Sequence, residues 1–146
     1  MPVEEAHNLI DESEKYFVAS KTLRTPSHRS MVFKFVRDQY PQCIFKRIYD
    51  AFTDGWDATS FHRCCDRKGW TLTLFETTED FIFGGFTTAE WRSSLIGINK
   101  PDPCSFIFNV NENSKYPITR GDRQGIRSIS GYCAVFGTFG LSDLVI

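Results

Sequence analysis

The chain has 146 residues, of which 41% are apolar, and its formal net charge at pH 7 is −1. This length fits one domain that can bury a core without disulfide bonds, and the fourteen phenylalanines suit a packed interior. The balanced charge lacks the basic patch that duplex nucleic acid or an anionic membrane attracts, and no apolar run could span a bilayer. We therefore expect no nucleic-acid binding and no membrane insertion.

The first forty residues read as a helical segment. Residues 3–20 are predicted to form an amphipathic helix, Lys21–Arg29 a loop, and a second helix starts near Met31 and ends at Pro41. The first helix could lie on the domain or bind a partner, because an apolar stripe fits both uses. We assign 1–40 to an N-terminal helical segment and 41–146 to the domain that follows.

A short helix is predicted in the middle of the chain. Cys43–Phe52 reads as a strand, and Asp54-Gly55 is a turn dipeptide. Asp57 then stands at the N-cap position of a helix that starts near Ala58.

The end of this short helix is also predicted from its residues. Phe61 and Cys65 lie four residues apart and would share a buried face. Lys68 would lie near the C-terminus of the helix, where a cation favours the dipole, and Gly69 would be the C′ residue.

Two strands follow, Trp70–Thr77 and Phe81–Thr87. In the first strand Trp70, Leu72 and Leu74 alternate with threonines, the period of a half-buried strand. The second contains Gly84-Gly85, which indicates a bulge or close packing of a neighbour on bare backbone, and we expect that neighbour to be a helix or Trp91.

The C-terminal part reads as further strands without helical crossovers. We predict a loop at Arg92–Cys104, a strand at Ser105–Asn111, a turn at Asn111–Tyr116, and one or two strands within Arg127–Phe136. Strands that follow one another without helical crossovers pair antiparallel. The predicted fold class is therefore α+β with mainly antiparallel sheets.

The five cysteines are predicted to be reduced. Cys64 and Cys65 are adjacent, which is poor geometry for a mutual disulfide, and the sequence has neither a signal peptide nor a glycosylation sequon. We expect a cytoplasmic protein.

One constellation could carry nucleophilic chemistry, because His62, Cys65 and Asp66 are close in sequence. A buried thiol beside Phe61 behaves as a small hydrophobe, however, and its thiolate is disfavoured. We therefore predict a structural helix with a hydrogen-bonded histidine, no catalytic residues and no enzymatic activity.

Other candidate binding motifs are also read as structural. The sequence has no C-x-x-C pair, and His62-x-Cys64 is too short for zinc ligation, so no metal or cofactor is expected. Gly84-Gly85 lacks the lysine and hydroxyl of a phosphate loop. Arg120-Gly121-Asp122 is interpreted as a charged turn rather than an adhesion tripeptide.

An ordered series of motifs resembles one known family. The motifs are D-G-W-D-A-x-x-F-H-x-x-C-D-x-K-G-x-T-L-T-L, F-I-F-G-G-F-T with Trp91, F-I-F-N-V, K-Y-P-I and T-F-G-L-S-D-L-V-I, in this order from about Cys43 to Ile146. Together they resemble the TLDc domain of oxidation-resistance-type proteins. The motif residues, to which we assign scaffold roles, are Asp54, Gly55, Phe61, His62, Cys65, Asp66, Gly69, Gly84, Gly85, Trp91 and Asp143.

The resemblance carries expectations about fold and function. It implies two antiparallel sheets packed as a β-sandwich with short flanking helices. It also implies a role in protection from oxidative damage, and a protein partner that could be the vacuolar proton-pumping ATPase. The family domain continues beyond the strand that ends here at Ile146, so its C-terminal part is expected to be missing, which would leave a sheet edge exposed.

Two functions of different classes remain open. The first is a non-catalytic interaction module of the oxidative-stress response. The alternative is a thiol-based antioxidant or redox sensor, in which an exposed cysteine is oxidised to sulfenic acid. Cys64 is the preferred thiol for this alternative, because it faces away from Phe61 on the predicted helix.

Overall fold

The computed structural model of the chain describes residues 2–118, 125–138 and 141–145. For residues 138 and 141–145 it describes the backbone only. The described residues form four helices and two antiparallel sheets, as the predicted α+β class requires. The helices are α1 (Val3–Phe17), α2 (Pro26–Arg37), α3 (Ala51–Asp54) and α4 (Ala58–Cys65). The strands are β1 (Thr71–Glu76), β2 (Ile82–Thr87), β3 (Ile98–Pro101), β4 (Phe106–Asn109), β5 (Ser114–Pro117), β6 (Gly125–Ser128), β7 (Val135–Thr138) and β8 (Leu141–Val145).

The second helix starts earlier than predicted. Thr25 is its N-cap and its Oγ1 accepts a hydrogen bond from the His28 N–H at 3.2 Å, while Pro26 occupies the first turn. This pairing of a hydroxyl cap with proline is a helix start signal. The predicted loop at Lys21–Arg29 is therefore wrong over its second half.

One compact unit comprises Met1–Lys46, Leu74–Phe83 and Asn109–Lys115. Its core contains aromatic rings from α1, α2 and the segment after α2. The Phe45 ring lies 5.0 Å from that of Phe17 and 5.9 Å from that of Phe33, and Phe17 and Phe33 are buried. Lys115 Nζ donates to the Phe35 carbonyl at 2.9 Å, which ties β5 to α2.

The predicted strand at Cys43–Phe52 is wrong. Its first part is irregular, and α3 begins at Ala51, where the Asp50 carboxylate accepts from the Phe52 N–H at 3.1 Å. Ile44 is exposed, while the Phe45 ring packs on the ring of Phe17. Capping by Asp50 favours the helical turn over an extended chain.

The second compact unit comprises Arg47–Thr73, Gly84–Phe108 and Tyr116–Ile146. At its centre the Trp91 side chain is fully buried, and its ring stands edge-on to those of Phe61 at 5.7 Å and Phe136 at 5.8 Å. The indole Nε1 donates to Thr71 Oγ1 at 2.9 Å. This polar contact satisfies the buried N–H, as a buried tryptophan requires.

The strand orders are β1-β2-β4-β5 and β3-β6-β7-β8. Strand β3 falls in the predicted loop Arg92–Cys104, and the first three residues of β5 fall in the predicted turn Asn111–Tyr116, so both predictions are wrong over these stretches. Each is a short edge strand that ends in proline, so its sequence carries little strand signal. The predicted strands at Ser105–Asn111 and within Arg127–Phe136 correspond to β4, β6 and the start of β7.

The alternation predicted for β1 is reversed at its start. Trp70 is 53% exposed, whereas Thr71 is buried. The physical reason is the hydrogen bond from the Trp91 indole to the Thr71 hydroxyl, which brings a polar side chain inward.

The paired glycines of β2 make room for aromatic rings. A Cβ on Gly84 would overlap the Thr73 carbonyl and the Phe108 ring, and a Cβ on Gly85 would overlap the Phe136 ring. Close packing on bare backbone is thus present, but the neighbours are these rings and not a helix or Trp91. Gly85 lies in the first sheet and Phe136 in the second, so this contact packs the sheets together within the second unit.

Candidate functional site

The start of α4 is fixed by its N-cap. Asp57 Oδ1 accepts from the Ser60 N–H at 2.9 Å, and Oδ2 accepts from Ser60 Oγ at 2.8 Å. These hydrogen bonds lower the pKa of the Asp57 carboxyl, because they favour its charged form. The predicted N-cap and helix start are confirmed.

The Asp54-Gly55 turn before α4 is fixed by three hydrogen bonds. Asp54 Oδ2 accepts from the Asp50 N–H at 2.8 Å, Arg63 Nη2 donates to the Asp54 carbonyl at 2.9 Å, and Tyr49 Oη donates to the Gly55 carbonyl at 2.7 Å. Gly55 has φ 115°, a conformation that L side chains rarely adopt. The turn therefore has a defined geometry.

The helix ends earlier than predicted. Its last residue is Cys65, Asp66 is the C-cap, and Arg67 takes the left-handed conformation with φ 58°. Lys68 and Gly69 thus lie beyond the helix, and the prediction that Gly69 is its C′ residue is wrong. The physical reason is that the Arg67 N–H donates to the Trp91 carbonyl at 3.0 Å, which draws the chain out of the helix.

His62 is buried and all its ring nitrogens are engaged. Its Nδ1 lies 2.6 Å from Asp66 Oδ1, and its Nε2 lies 3.0 Å from the Ile129 carbonyl and 2.9 Å from the Tyr132 carbonyl. Each ring nitrogen of the buried imidazole therefore faces an oxygen of the protein. The ring is used for contacts within the protein rather than turned toward solvent.

Asp66 connects the end of α4 to a second segment. Its Oδ2 accepts from the Ser93 N–H at 2.6 Å and from Ser93 Oγ at 2.7 Å. With the His62 contact on Oδ1, both carboxylate oxygens are satisfied. The His62–Asp66 pair therefore ties α4 to the turn at 129–132 and to the segment after Trp91, which is a positioning arrangement.

The thiols differ in their exposure. Cys65 is buried, and burial, with the neighbouring Cys64 and Asp66, raises the pKa of its thiol to about 12. Cys64, the predicted exposed thiol, is half-buried, whereas Cys104 is exposed. All five cysteines are free thiols.

The motif residues fall into two groups and one exception. The first group lies in α4 or next to it and consists of Asp54, Gly55, Phe61, His62, Cys65, Asp66 and Trp91. The second group lies in or before the strands: Gly84 and Gly85 are in β2, and Gly69 precedes β1. Asp143 belongs to β8, and its side chain lies outside the described residues. Arg120-Gly121-Asp122 also lies outside them, so the charged turn stays a prediction.

Sequence reasoning missed a buried carboxylate at Asp102. It accepts from Thr87 Oγ1 at 2.6 Å, from the Thr88 N–H and Oγ1 at 2.7 Å each, and from the Cys104 N–H at 3.1 Å. Burial by itself raises the pKa of this carboxyl, but the four hydrogen bonds outweigh burial and lower it. The adjacent threonines and the Pro101-Asp102-Pro103 turn were the available signals.

Two exposed apolar surfaces belong to the second unit. The Leu95–Ile96 tip consists of two side chains that are 93% and 85% exposed. The Phe52–Trp56 pair consists of two rings that are 68% and 69% exposed. Large apolar side chains clustered at the surface are typical of binding sites.

Within 2–118, 125–138 and 141–145, no group of three or more His, Cys, Asp and Glu side chains could hold a metal ion. The helices of the described part are each too short or too polar to cross a membrane.

Comparison with known proteins identifies the family. The chain matches the TLDc domain over residues 17–142. No curated protein and no solved structure matches it. The match begins within α1, and the division into 1–40 and 41–146 stays a prediction. Because the match covers nearly the whole chain, the protein belongs to the TLDc domain family.

Proposed function

We propose that the chain is a non-catalytic, protein-binding module that acts in the cytoplasm in protection against oxidative damage. Its proposed partner is the vacuolar proton-pumping ATPase. The observation that carries this proposal is the Leu95–Ile96 tip, whose side chains are 93% and 85% exposed. Burying such side chains against a partner is favourable, at about 25 cal/mol per Å² of apolar surface.

The state of the reactive groups supports contact rather than catalysis. Both ring nitrogens of His62 contact protein oxygens, Asp66 accepts on both carboxylate oxygens, and the Cys65 thiol is buried with a raised pKa. A general base must lie within hydrogen-bonding reach of the substrate, and a nucleophilic cysteine needs an accessible thiolate. These side chains instead hold loops in place.

The backbone around the tip is hydrogen-bonded to neighbouring segments. The Ser130 N–H donates to the Ser94 carbonyl at 2.8 Å, and Arg127 Nη2 donates to the Ile96 carbonyl at 3.1 Å. Ser130 belongs to the turn whose carbonyls accept from His62. A tip held in this way loses less conformational entropy on binding.

The test is capture of named ATPase subunits from a cell lysate under conditions in which the pump disassembles reversibly. The double variant Leu95→Asp/Ile96→Asp should capture these subunits at least about tenfold less well than the unmodified chain, as expected for a binding hot spot. Val3→Asp is the matched control, because Val3 is an equally exposed apolar residue on α1. Failure of the unmodified chain to recover any pump subunit would remove this partner, and undiminished capture by the double variant would remove the tip as its binding site.

The redox alternative concerns Cys64, which is a free thiol but is half-buried and not exposed as predicted. In this reaction the thiolate attacks an oxygen of hydrogen peroxide, the O–O bond breaks, and the products are a sulfenic acid and hydroxide, which takes a proton from solvent to form water. Cys64→Ser should then abolish peroxide consumption, with Cys104→Ser as the control at the exposed thiol. Equal peroxide reactivity of the Cys64→Ser variant and the unmodified chain would eliminate this alternative.

A further inference from the structure

The Phe52–Trp56 pair is a surface that the proposed function does not use. The two ring centroids lie 4.8 Å apart, and the ring planes make an angle of 76°. This edge-to-face arrangement is the geometry that aromatic quadrupoles favour. The pair therefore presents a fixed aromatic surface although about two thirds of each side chain is exposed.

The backbone on either side of these rings is fixed. Phe52 lies in α3, where its N–H donates to Asp50 Oδ1 at 3.1 Å. Trp56 is flanked by Gly55, whose carbonyl accepts from Tyr49 Oη at 2.7 Å, and by the N-cap Asp57. Tryptophan is among the residues most enriched in binding hot spots. A large ring held outward on a fixed backbone is therefore well suited to contact a partner.

Charged side chains of both signs lie next to the rings, with the acidic ones in excess by one. The three aspartates Asp50, Asp54 and Asp57 are flanked by Arg47 and Arg63, so two positive and three negative charges give this stretch a formal charge of −1. Asp50 forms an ion pair with Arg47 at 3.8 Å. Asp57 is exposed, and its pKa is lowered by the Ser60 hydrogen bonds, so it is ionised at neutral pH. A cationic partner would complement this charge.

We propose that the Phe52–Trp56 pair binds a lysine- or arginine-bearing segment of a protein partner. The cation would lie over the Trp56 ring, with its aliphatic stem against Phe52 and its charge toward Asp57. A cation within about 6 Å of a tryptophan centroid is attracted by the ring quadrupole, and arginine and lysine stems pack on apolar surface while their charge stays in water. This inference rests on the proposed protein-binding role but not on the identity of the ATPase.

The test is a titration of the full-length, ¹⁵N-labelled chain with a short peptide of alternating arginine and leucine. We expect saturable shifts of the backbone amides from Asp50 to Ser60 and of the Trp56 indole N–H. A peptide of alternating glutamate and leucine has the same apolar content and should cause no such shifts. Added salt should weaken the arginine peptide's binding, because part of the attraction is between exposed charges.

Two matched variants separate the ring from general effects. Trp56→Leu keeps an apolar side chain but removes the ring, and it should weaken binding about two- to fivefold, the loss expected for one exposed cation–π contact. Trp70→Leu makes the same change at another half-exposed tryptophan and should leave the affinity unchanged. Unchanged amide shifts outside Asp50–Ser60 show that each variant is folded.

Several outcomes would overturn the inference. The first is the absence of saturable shifts, and the second is shifts that map to the Leu95–Ile96 tip instead. The third is equal binding of the glutamate peptide. The fourth is a shift of the Trp56 signals that depends on protein concentration alone, because the surface would then be occupied by a second copy of the chain. A chain that captures the ATPase but ignores the arginine peptide overturns this inference only. A chain that binds the peptide through Trp56 but recovers no pump subunit overturns the proposed partner only.

Discussion

Helices α1 and α4 are held in place by different means. The fifteen-residue α1 has no side-chain cap, and within it only Ser13 and Phe17 are buried. It is connected to α2 by packing of aromatic side chains and by the ion pair between Glu14 and Arg29, whose charged atoms are 3.0 Å apart. The eight-residue α4 is capped by Asp57 and has four buried residues. A short helix needs such fixed contacts, because its own hydrogen bonds are too few to stabilise it.

The motif residues are concentrated at the more tightly held of these two helices. Around α4, each polar group has a specific partner at a fixed distance. Contacts in α1 are apolar or partly exposed, so many sequences could make them. The following substitutions test the comparison, beginning with the largest expected effect.

Replacing Trp91 by alanine should cause the largest loss of stability. Its fully buried side chain contacts Phe61 of α4 and Phe136, so the substitution leaves a cavity that should lower the free energy of unfolding by about 3–5 kcal/mol. Urea unfolding measures this change, with Trp70→Ala as the half-exposed control. A loss equal to that of the control would mean that Trp91 is not central to the core.

Replacing His62 by alanine should have the next largest effect. The substitution leaves the Asp66 carboxylate and two carbonyl oxygens without their donor, which should cost about 2–3 kcal/mol of unfolding free energy. Amide hydrogen exchange at Ile129–Tyr132 should also accelerate, because His62 holds this turn. Protection that is unchanged in the variant would contradict the positioning role.

Asp102 should make stability depend on pH. Its hydrogen bonds lower the folded-state pKa below that of the unfolded chain, so its contribution is fully present above about pH 4. The contribution is lost as the pH falls through the folded-state pKa. Asp102→Asn should therefore be less stable than the unmodified chain at pH 7, and the difference should shrink in acid. If the difference in unfolding free energy stayed constant from pH 7 to acid, the contribution of Asp102 would come from the packing of its side chain and not from its charge.

The smallest effect is expected in α1. Glu14→Gln removes the ion pair with Arg29, whose two side chains are partly exposed, and should cost less than about 1 kcal/mol. The comparison with His62→Ala is made under identical urea conditions. If Glu14→Gln were the more destabilising of the two, the contrast between α1 and α4 would be reversed.

The sequence predicted those features that depend on neighbouring residues. Asp57 was identified as an N-cap because a cap acts within three residues. The partners of His62 could not be predicted, because the carbonyls of Ile129 and Tyr132 are 67 and 70 residues away. Asp102 was missed for a similar reason, since its threonine partners are more than ten residues earlier in the chain.

Strand predictions failed where packing overrides local pattern. The inward position of Thr71 depends on the distant Trp91 indole, so the alternation of leucines in β1 was misleading. Gly84 and Gly85 were correctly interpreted as sites of close packing. Their neighbours Phe108 and Phe136 come from other strands, however, and local sequence does not specify such contacts.

The central claim is that the motif residues form a scaffold and that the Leu95–Ile96 tip makes the functional contact. Titration calorimetry of the purified chain with the purified vacuolar ATPase tests it most directly. We predict that Leu95→Asp/Ile96→Asp keeps the unfolding midpoint of the unmodified chain and binds the ATPase at least about tenfold more weakly. A folded double variant that binds with unchanged affinity would contradict the claim.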